Sequence, residues 1–339
     1  MNIEMVLGNN TIISDFVESV EYSGDSTKFN RQLTVSLLGT ADGRTQAFDI
    51  QEGAALSFKY EGHTKFVGIV FSKDISSDGK VSITAYDSNV YLAKSNDNRI
   101  FINKKASDIV RILAQDFGIL IGSISDTGYV IPYLKFQNAS LFDMIMTALQ
   151  LTRKQTGKRF FVGNNRGRLV LFAGANPVNR YIFKDGENLI SASYSRSIDD
   201  AKTQAKVIGG EKGKETVIVV RDDAARRRYG VLQVVEVMDE KATSSQVKQR
   251  ASALLRENSQ ASEQLNVEVL GVLEVDVGSA VYIQNEMTKT SGGYYVTSIS
   301  QSFSSGVFTM SLELSRTYEL PEISISDDVI TRESDKEKD

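Results

Sequence analysis

The chain has 339 residues, a formal net charge of −4, 41% hydrophobic and 24% charged residues, and no cysteine. A chain of this length can bury several modest hydrophobic cores. The net charge shows no excess of lysine and arginine, which argues against specific nucleic-acid binding. Without cysteine the chain can form no disulfide, thiolate zinc site or cysteine nucleophile. No signal-peptide pattern opens the chain and no apolar run has spanning length. With the missing cysteine, this leads us to expect synthesis in a reducing cytoplasm and no stable membrane insertion.

The first region, residues 1–95, is predicted to consist mainly of strands. Residues 14–22 and 33–38 read as strands, and a meander of short alternating strands follows from Gly53 to Leu92. A glycine stands at each point where the meander must reverse, for example Gly79 in the turn over residues 77–79. We interpret this region as an N-terminal β-barrel module.

The second region, residues 96–188, changes to a helical period. Ser107 is predicted to cap a helix that ends at Gly118. Ser140 is predicted to cap a second helix, with the Asp143 side chain bonding back to the cap, and this helix ends at Gly157. A hairpin over 159–173, turning at 164–167, follows the second helix. The pattern predicts a small middle α+β domain.

The third region, residues 189–321, returns to strands. Segments 205–208, 215–220 and 230–237 are rich in valine. Thr243 and Gln246 have the spacing of a capping box, which predicts one inserted helix. A second meander runs from Gly278 to Leu320. Residues 322–339 are densely charged and are predicted to form a mobile tail.

The two meanders read as copies of one pattern. Each opens on a glycine followed by a short apolar strand, so Gly53 is matched with Gly278, and Phe66 is matched with Tyr295. The fold class we predict is mainly β with a small α+β insert: two similar β-barrel modules flank the middle domain. A duplicated module presents equivalent surfaces twice.

The residues offer little chemistry, and we predict no catalytic, cofactor-binding or metal-binding residues. His63, the only histidine, falls in a hairpin turn and no nucleophile elbow accompanies it. Too few histidines exist for the usual zinc sets. The carboxylate pairs 199–200 and 222–223 are read as solvated turns, and the glycines and lysines of 209–214 as a turn between strands.

Two surface features leave alternatives open. Residues 226–228 are three consecutive arginines, either a surface for an anionic partner or, as we prefer, a solvated loop balanced by the preceding acids. Tyr133, Phe136, Tyr294 and Tyr295 are either interface anchors or packing residues of strand faces.

The order of the landmarks along residues 3–320 resembles the tail hub proteins of contractile phages, the PBSX-like late tail proteins grouped with phage late control proteins. The matching segments are 20–25 with 31–35, 53–56 with 66–70, 84–87 with 91–92, 106–110, 229–233, and 293–296 with 308–312. Their order carries the resemblance, since no single segment is specific.

The resemblance implies a structural function. Hubs of this family are homotrimers in which two β-barrels per subunit form a pseudo-sixfold ring between a hexameric tail tube and a trimeric central spike. The expected partners are therefore the tail tube protein, the central spike protein, and the tape-measure and baseplate wedge proteins. The chain would be a virion baseplate component of a phage tail or of a headless tail-like bacteriocin.

A rival interpretation is a tail-associated cell-wall hydrolase or glycan-binding module. A chain with 43 acidic residues always contains paired carboxylates. Two observations favour the structural interpretation. The chain has no tryptophan, a common sugar-stacking residue, and the strand modules occupy nearly its whole length. We expect no enzyme activity, and zymography on purified cell wall would discriminate between the two.

Overall fold

The structure is a computed structural model that describes residues 2–8, 10–40, 45–174, 181–317 and 329. The chain divides into two compact units. Unit 1 comprises residues 1–192 and 266–339, and unit 2 comprises residues 193–265. The predicted domain boundaries at 95, 188 and 321 stay predictions.

Unit 1 begins with seven strands and a short 3₁₀ turn at Ser14–Phe16. The strands are β1 (Ile3–Leu7), β2 (Thr11–Ile12), β3 (Val17–Asp25), β4 (Arg31–Leu38), β5 (Ala55–Tyr60), β6 (His63–Ile75) and β7 (Lys80–Tyr86). Six of them lie in the order β1-β5-β6-β7-β4-β3, and β2 pairs with β1. Alternate residues of β4 and β7 are buried, as expected of strands with one face on a core.

The middle of unit 1 is the predicted α+β region. Its elements are α1 (Val90–Lys94), β8 (Asn96–Lys105), α2 (Ala106–Asp116), β9 (Ile121–Ile124), β10 (Val130–Ser140), α3 (Leu141–Thr156), β11 (Phe160–Asn165) and β12 (Arg168–Ala173). Strands β11 and β12 form the predicted hairpin. Strands β8 and β10 pair antiparallel in a two-stranded sheet, with α2 and β9 between them in the chain, and this pairing was not predicted.

Helix α3 confirms its predicted ends. The Ser140 hydroxyl accepts the Asp143 N–H at 3.0 Å, and Gly157 ends the helix in the left-handed conformation with φ +72°. The predicted start of α2 was wrong. Its N-cap is Lys105, and Ser107 lies buried inside the first turn, where its backbone N–H bonds Thr127 Oγ1 at 3.2 Å.

The remaining elements complete unit 1 and form unit 2. They are β13 (Tyr181–Lys184), β14 (Leu189–Ser197), β15 (Gln204–Gly209), β16 (Thr216–Arg221), α4 (Asp223–Tyr229), β17 (Gln233–Val237), α5 (Ser244–Asn258), β18 (Ser262–Leu270), β19 (Ala280–Asn285), β20 (Thr290–Ser304) and β21 (Val307–Ser315).

The second sheet copy has the order β13-β19-β20-β21-β18-β14, which repeats the first order strand for strand. The first pair differs in direction, since β1 runs antiparallel to β5 while β13 runs parallel to β19. The two copies are joined where β20 pairs with β3, in one 13-stranded sheet. The predicted fold class is confirmed.

The register corrects one predicted match. Ala55 lies opposite Ile69 in the first copy, and Ala280 lies opposite Tyr295 in the second. Tyr295 therefore corresponds to Ile69, and its predicted match with Phe66 was wrong. Gly53 does correspond to Gly278, as predicted, because both stand two residues before these alanines.

Unit 2 includes the end of β14, the start of β18 and, between them along the chain, a small α/β insertion. Its sheet has the order β16-β15-β17, with β15 and β17 parallel, and α5 packs on β15 and β16. The capping box of Thr243 and Gln246 is confirmed. The predicted strand over 230–237 is shorter, beginning at Gln233. The insertion contains two helices where the sequence predicted one.

The predicted tail, residues 322–339, lies outside the described residues except for Val329. That side chain is half-buried against the core formed by α2 and α3. In the part of the chain that the structure describes, no helix is both long and apolar enough to cross a membrane.

Candidate functional site: the junction between the two sheet copies

Strand β20 holds the two sheet copies together. Tyr295 lies opposite Ala280 of β19 and opposite Ser315 of β21, so these two strands occupy opposite edges of β20. Past that point, β21 continues along one edge, and β3 takes the edge that β19 has left, from Ser298 opposite Asp25 to Ser304 opposite Ser19. The copies therefore meet edge to edge through backbone hydrogen bonds.

A charged cluster lies beside this strand pairing. The hydroxyl of Tyr22 on β3 donates to Asp276 Oδ2 at 2.6 Å, and Arg31 Nε of β4 donates to Asp276 Oδ1 at 3.0 Å. Asp276 belongs to the loop before β19. This carboxylate therefore ties the first copy to the second through two side chains that are almost completely buried.

The ionisation of the cluster follows from burial and from its charges. Burial acts to raise the pKa of Asp276, but Arg31, Lys65 and the Tyr22 hydroxyl together hold it below its ordinary value. Burial, and then the adjacent carboxylate, raises the pKa of Tyr22. Asp276 is thus a carboxylate and Tyr22 a neutral donor at neutral pH, which suits a charge-assisted hydrogen bond.

Lys65 on β6 completes the positive side of the cluster. Its ammonium donates to the Leu273 carbonyl at 2.9 Å and lies 4.4 Å from the centre of the Tyr22 ring. Burial lowers the pKa of Lys65, although Asp276 opposes the shift. The loop before β19 is therefore held by both β3 and β6 of the first copy.

Asp87 connects the same cluster to the middle region. Its side chain is 2% exposed and accepts the backbone N–H groups of Arg31 and Asn89, each at 3.0 Å. Asn89 in turn donates to the carbonyls of Phe29 and Gly163 at 3.1 and 3.0 Å. Burial raises the pKa of Asp87 to about 7, against the opposing effect of Arg31.

An open pocket of about 160 Å³ adjoins these groups. Its lining is mainly polar and includes Arg31, Lys65, Asp87, Arg166 and Asp276. Arg31 and Lys65 are already engaged by Asp276 and by the Leu273 carbonyl, so the cluster serves to fix the position of the loop before β19. Its chemistry is structural: charge-assisted hydrogen bonds of Asp276 join the two sheet copies, and the Asn89 amide ties the middle region to the first copy.

The residues singled out from the sequence lie elsewhere. His63 is exposed at the first position of β6, beside the turn at Glu61 and Gly62. Residues 209–214 connect β15 to β16, as predicted. Within the described ranges, no three acidic or histidine side chains are grouped so that they could hold a metal ion.

The three arginines of 226–228 are not in a loop. They occupy the last turn of α4, where cations are favourable at the carbonyl end of a helix. Asp222 caps the helix by accepting the Ala225 N–H at 2.9 Å, and Asp223 pairs with Arg226 at 3.4 Å. The predicted balance by the preceding acids is therefore present in a different local structure. Of the four aromatics, Phe136 and Tyr294 are buried packing residues.

Sequence reasoning did not find the cluster of Tyr22, Arg31 and Asp276. The two ends of the Tyr22–Asp276 bond are 254 residues apart, and no local pattern marks either. The duplication predicts that two similar modules exist, but it does not say which loop of one module meets the other.

Comparison with known proteins agrees with this architecture. A family model described as YQBQ-like matches residues 20–315. The phage-like element PBSX protein XkdQ of Bacillus subtilis is 30% identical over 307 residues, covering 90% of this chain and 94% of that protein. The uncharacterized protein YqbQ of the same organism is 29% identical with the same coverage.

Among solved structures, the 43 kDa tail protein of prophage MuSo2 from Shewanella oneidensis superposes with a TM-score of 0.72. It is 15% identical, and the match covers 93% of this chain and 98% of that one. The chain therefore has the fold of a phage tail protein. It belongs to the YQBQ-like family, and the resemblance to PBSX-type tail proteins is confirmed.

Proposed function

We propose that this protein is the baseplate hub of a contractile phage tail or of a tail-like bacteriocin. Three copies form a ring that joins a hexameric tail tube to a trimeric central spike. One observation carries the proposal: a single chain contains two sheet copies of the same strand order, joined edge to edge by β20 and β3.

Symmetry supplies the reason for a duplicated sheet. A sixfold tube and a threefold spike have no common interface unless the connecting ring presents both symmetries. Two similar copies in each of three chains give six similar positions toward the tube and three identical positions toward the spike. The charged cluster supports this role because it fixes the position of one copy against the other.

Light scattering of the purified chain, alone and with tail tube and spike proteins from the same gene cluster, tests the proposal. We expect a trimer, or a monomer that becomes a trimer when either partner is added. Permanent interfaces of this kind bury about 2,000 Å² or more. A monomer that binds neither partner would contradict the proposal.

The tape-measure and wedge proteins are further proposed neighbours, and the same binding assay applies to them. The chain is proposed to act without catalysis. A clearing band in zymography on purified cell wall would instead favour the hydrolase interpretation.

A further inference from the structure

The segment of β6 that corresponds to the β3-paired part of β20 has, on that edge, no partner among the described strands. In the second copy, β3 takes the edge of β20 that β19 leaves, and the Ser26 N–H donates to the Thr297 carbonyl at 2.7 Å where this pairing begins. In the first copy, β5 leaves β6 at Ile69. From there to Ile75, the structure pairs β6 with β7 and with no other described strand.

A bulge found in both copies sets the correspondence of positions. In the first copy the register shifts after Val70, and Ser72 lies opposite Thr84. In the second it shifts after Val296, and Ser298 lies opposite Glu313. Ser72 therefore corresponds to Ser298. Counting along the strands, Asp74 corresponds to Ser300 and Ile75 to Gln301.

The strand equivalent to β3 is β14, and it ends the sheet. Both strands are nine residues long and follow β4 or its equivalent β18 in the strand order. Aligned end to end, they share serine, tyrosine and serine at the same positions, which are Ser19, Tyr22 and Ser23 in β3 and Ser191, Tyr194 and Ser195 in β14. Among the described strands β14 pairs only with β18, so no described strand covers its other edge.

We infer that β14 of one chain pairs antiparallel with β6 of a second copy of this chain, with Ser72 opposite Ser197, Asp74 opposite Ser195 and Ile75 opposite Tyr194. This inference rests on the proposed ring. It repeats between chains the β20–β3 junction that exists within one chain. Because the two contacts are alike, each module meets the next at a similar angle. A head-to-tail ring closes when six such rotations add up to a full turn.

Burial at the two junctions favours this pairing. Gln301 and Tyr22 lie opposite each other in the existing junction and are 0% and 3% exposed. Their counterparts Ile75 and Tyr194 are 45% and 40% exposed in the single chain. Pairing would cover these two apolar side chains together. It would also satisfy a row of edge backbone groups, which otherwise invite uncontrolled association.

The charges at the interface are compatible with the register. Lys73 would lie opposite Arg196, an unfavourable arrangement for two unengaged cations. Each already has a partner in the single chain: Lys73 donates to the Ile50 carbonyl, and Arg196 pairs with Glu263 at 3.3 Å. The like charges are therefore directed to other groups.

Cysteine cross-linking tests the register in the full-length chain, which contains no native cysteine. The test variant carries Asp74→Cys and Ser195→Cys. The matched control carries Ser23→Cys and Ser300→Cys, the equivalent pair within one chain. An off-register control carries Asp74→Cys and Ser191→Cys, displaced by four residues, or about 13 Å, along the strand.

After mild oxidation, the test variant is expected to give reducible covalent dimers and trimers as the main bands on a denaturing gel. The Ser23/Ser300 control should give an oxidised monomer, and the off-register control should remain reduced. Covalent multimers in the off-register control at the level of the test variant would overturn the register. A test variant that stays monomeric under conditions in which the Ser23/Ser300 control is oxidised would also overturn the register.

Light scattering on the same samples separates this inference from the proposed hub. A trimer without the Asp74–Ser195 cross-link overturns the strand pairing and leaves the hub standing. A cross-linked ring of another number supports the pairing and overturns the threefold hub. A chain that stays monomeric and uncross-linked with tube and spike proteins present overturns both.

Discussion

Gly53 and Gly278 occupy the same position in the two sheet copies and have the same backbone geometry. The φ angle is +87° at both residues, and each N–H donates at 2.8 Å to a valine carbonyl, that of Val70 or of Val296. Each valine N–H in turn donates at 2.9 Å to the carbonyl of the residue after the glycine, Ala54 or Ser279. Two distant segments that reproduce one left-handed turn and one pair of bonds are best explained by an internal duplication.

Alanine at these glycines should cost stability by similar amounts. The φ angle of +87° places the alanine Cβ in an unfavourable conformation, which costs about 1–2 kcal/mol per residue. Urea unfolding of Gly53→Ala and of Gly278→Ala measures both losses. A loss at one glycine that is more than twice the loss at the other would contradict the equivalence of the two turns.

The Asp276 carboxylate should stabilise the chain more than an exposed ion pair does. Asp276→Ala leaves the buried Arg31 without this carboxylate, and we expect a loss of about 2–3 kcal/mol, at the low end for buried pairs because Asp276 lines an open pocket. The control is Glu4→Ala, which removes an exposed pair of 2.6 Å with Lys59 and should cost below about 1 kcal/mol. Equal losses in urea unfolding would contradict the assigned role.

Asp87 should make stability depend on pH between its two pKa values. Its folded pKa of about 7 lies above the ordinary 3.8, so the folded state holds the proton more tightly. The resulting stabilisation is complete below the unfolded pKa and is lost as pH rises toward 7, at up to about 1.4 kcal/mol per pH unit. Arg31 and Asp276 are the charged groups that face it.

The measurement compares Asp87→Asn with the natural chain by urea unfolding from pH 5 to pH 8. The natural chain should lose stability relative to the variant as pH rises to 7, and the difference should then level off. A difference that is constant over this range would contradict the assigned pKa. The comparison cancels the titration of other groups, since both chains share them.

Local rules predicted local structure well. Helix α3 begins at a serine cap and ends at a glycine because both effects act within one turn, and the capping box of α5 is equally local. The failures also have physical reasons. Phe66 was matched to Tyr295 by residue type, whereas register is determined by backbone hydrogen bonds across the sheet.

Short helices and contacts between residues far apart in the chain could not be predicted from the sequence. Helix α4 has seven residues, too few to show a helical period against its three arginines. The bond from Tyr22 to Asp276 exists only because the two copies meet edge to edge. The repeat predicted that two similar modules exist. Which strand joins them could be seen only in the folded structure.

The symmetry of the purified assembly tests the central claim most directly. Electron microscopy with averaging along the ring axis is expected to show three chains arranged as six similar sheet modules, alternating between the two copies. The symmetry would be threefold, with a sixfold pattern emerging only when the copies are treated as equal. A dimer, an open filament, or a ring with a number of chains other than three would contradict the account.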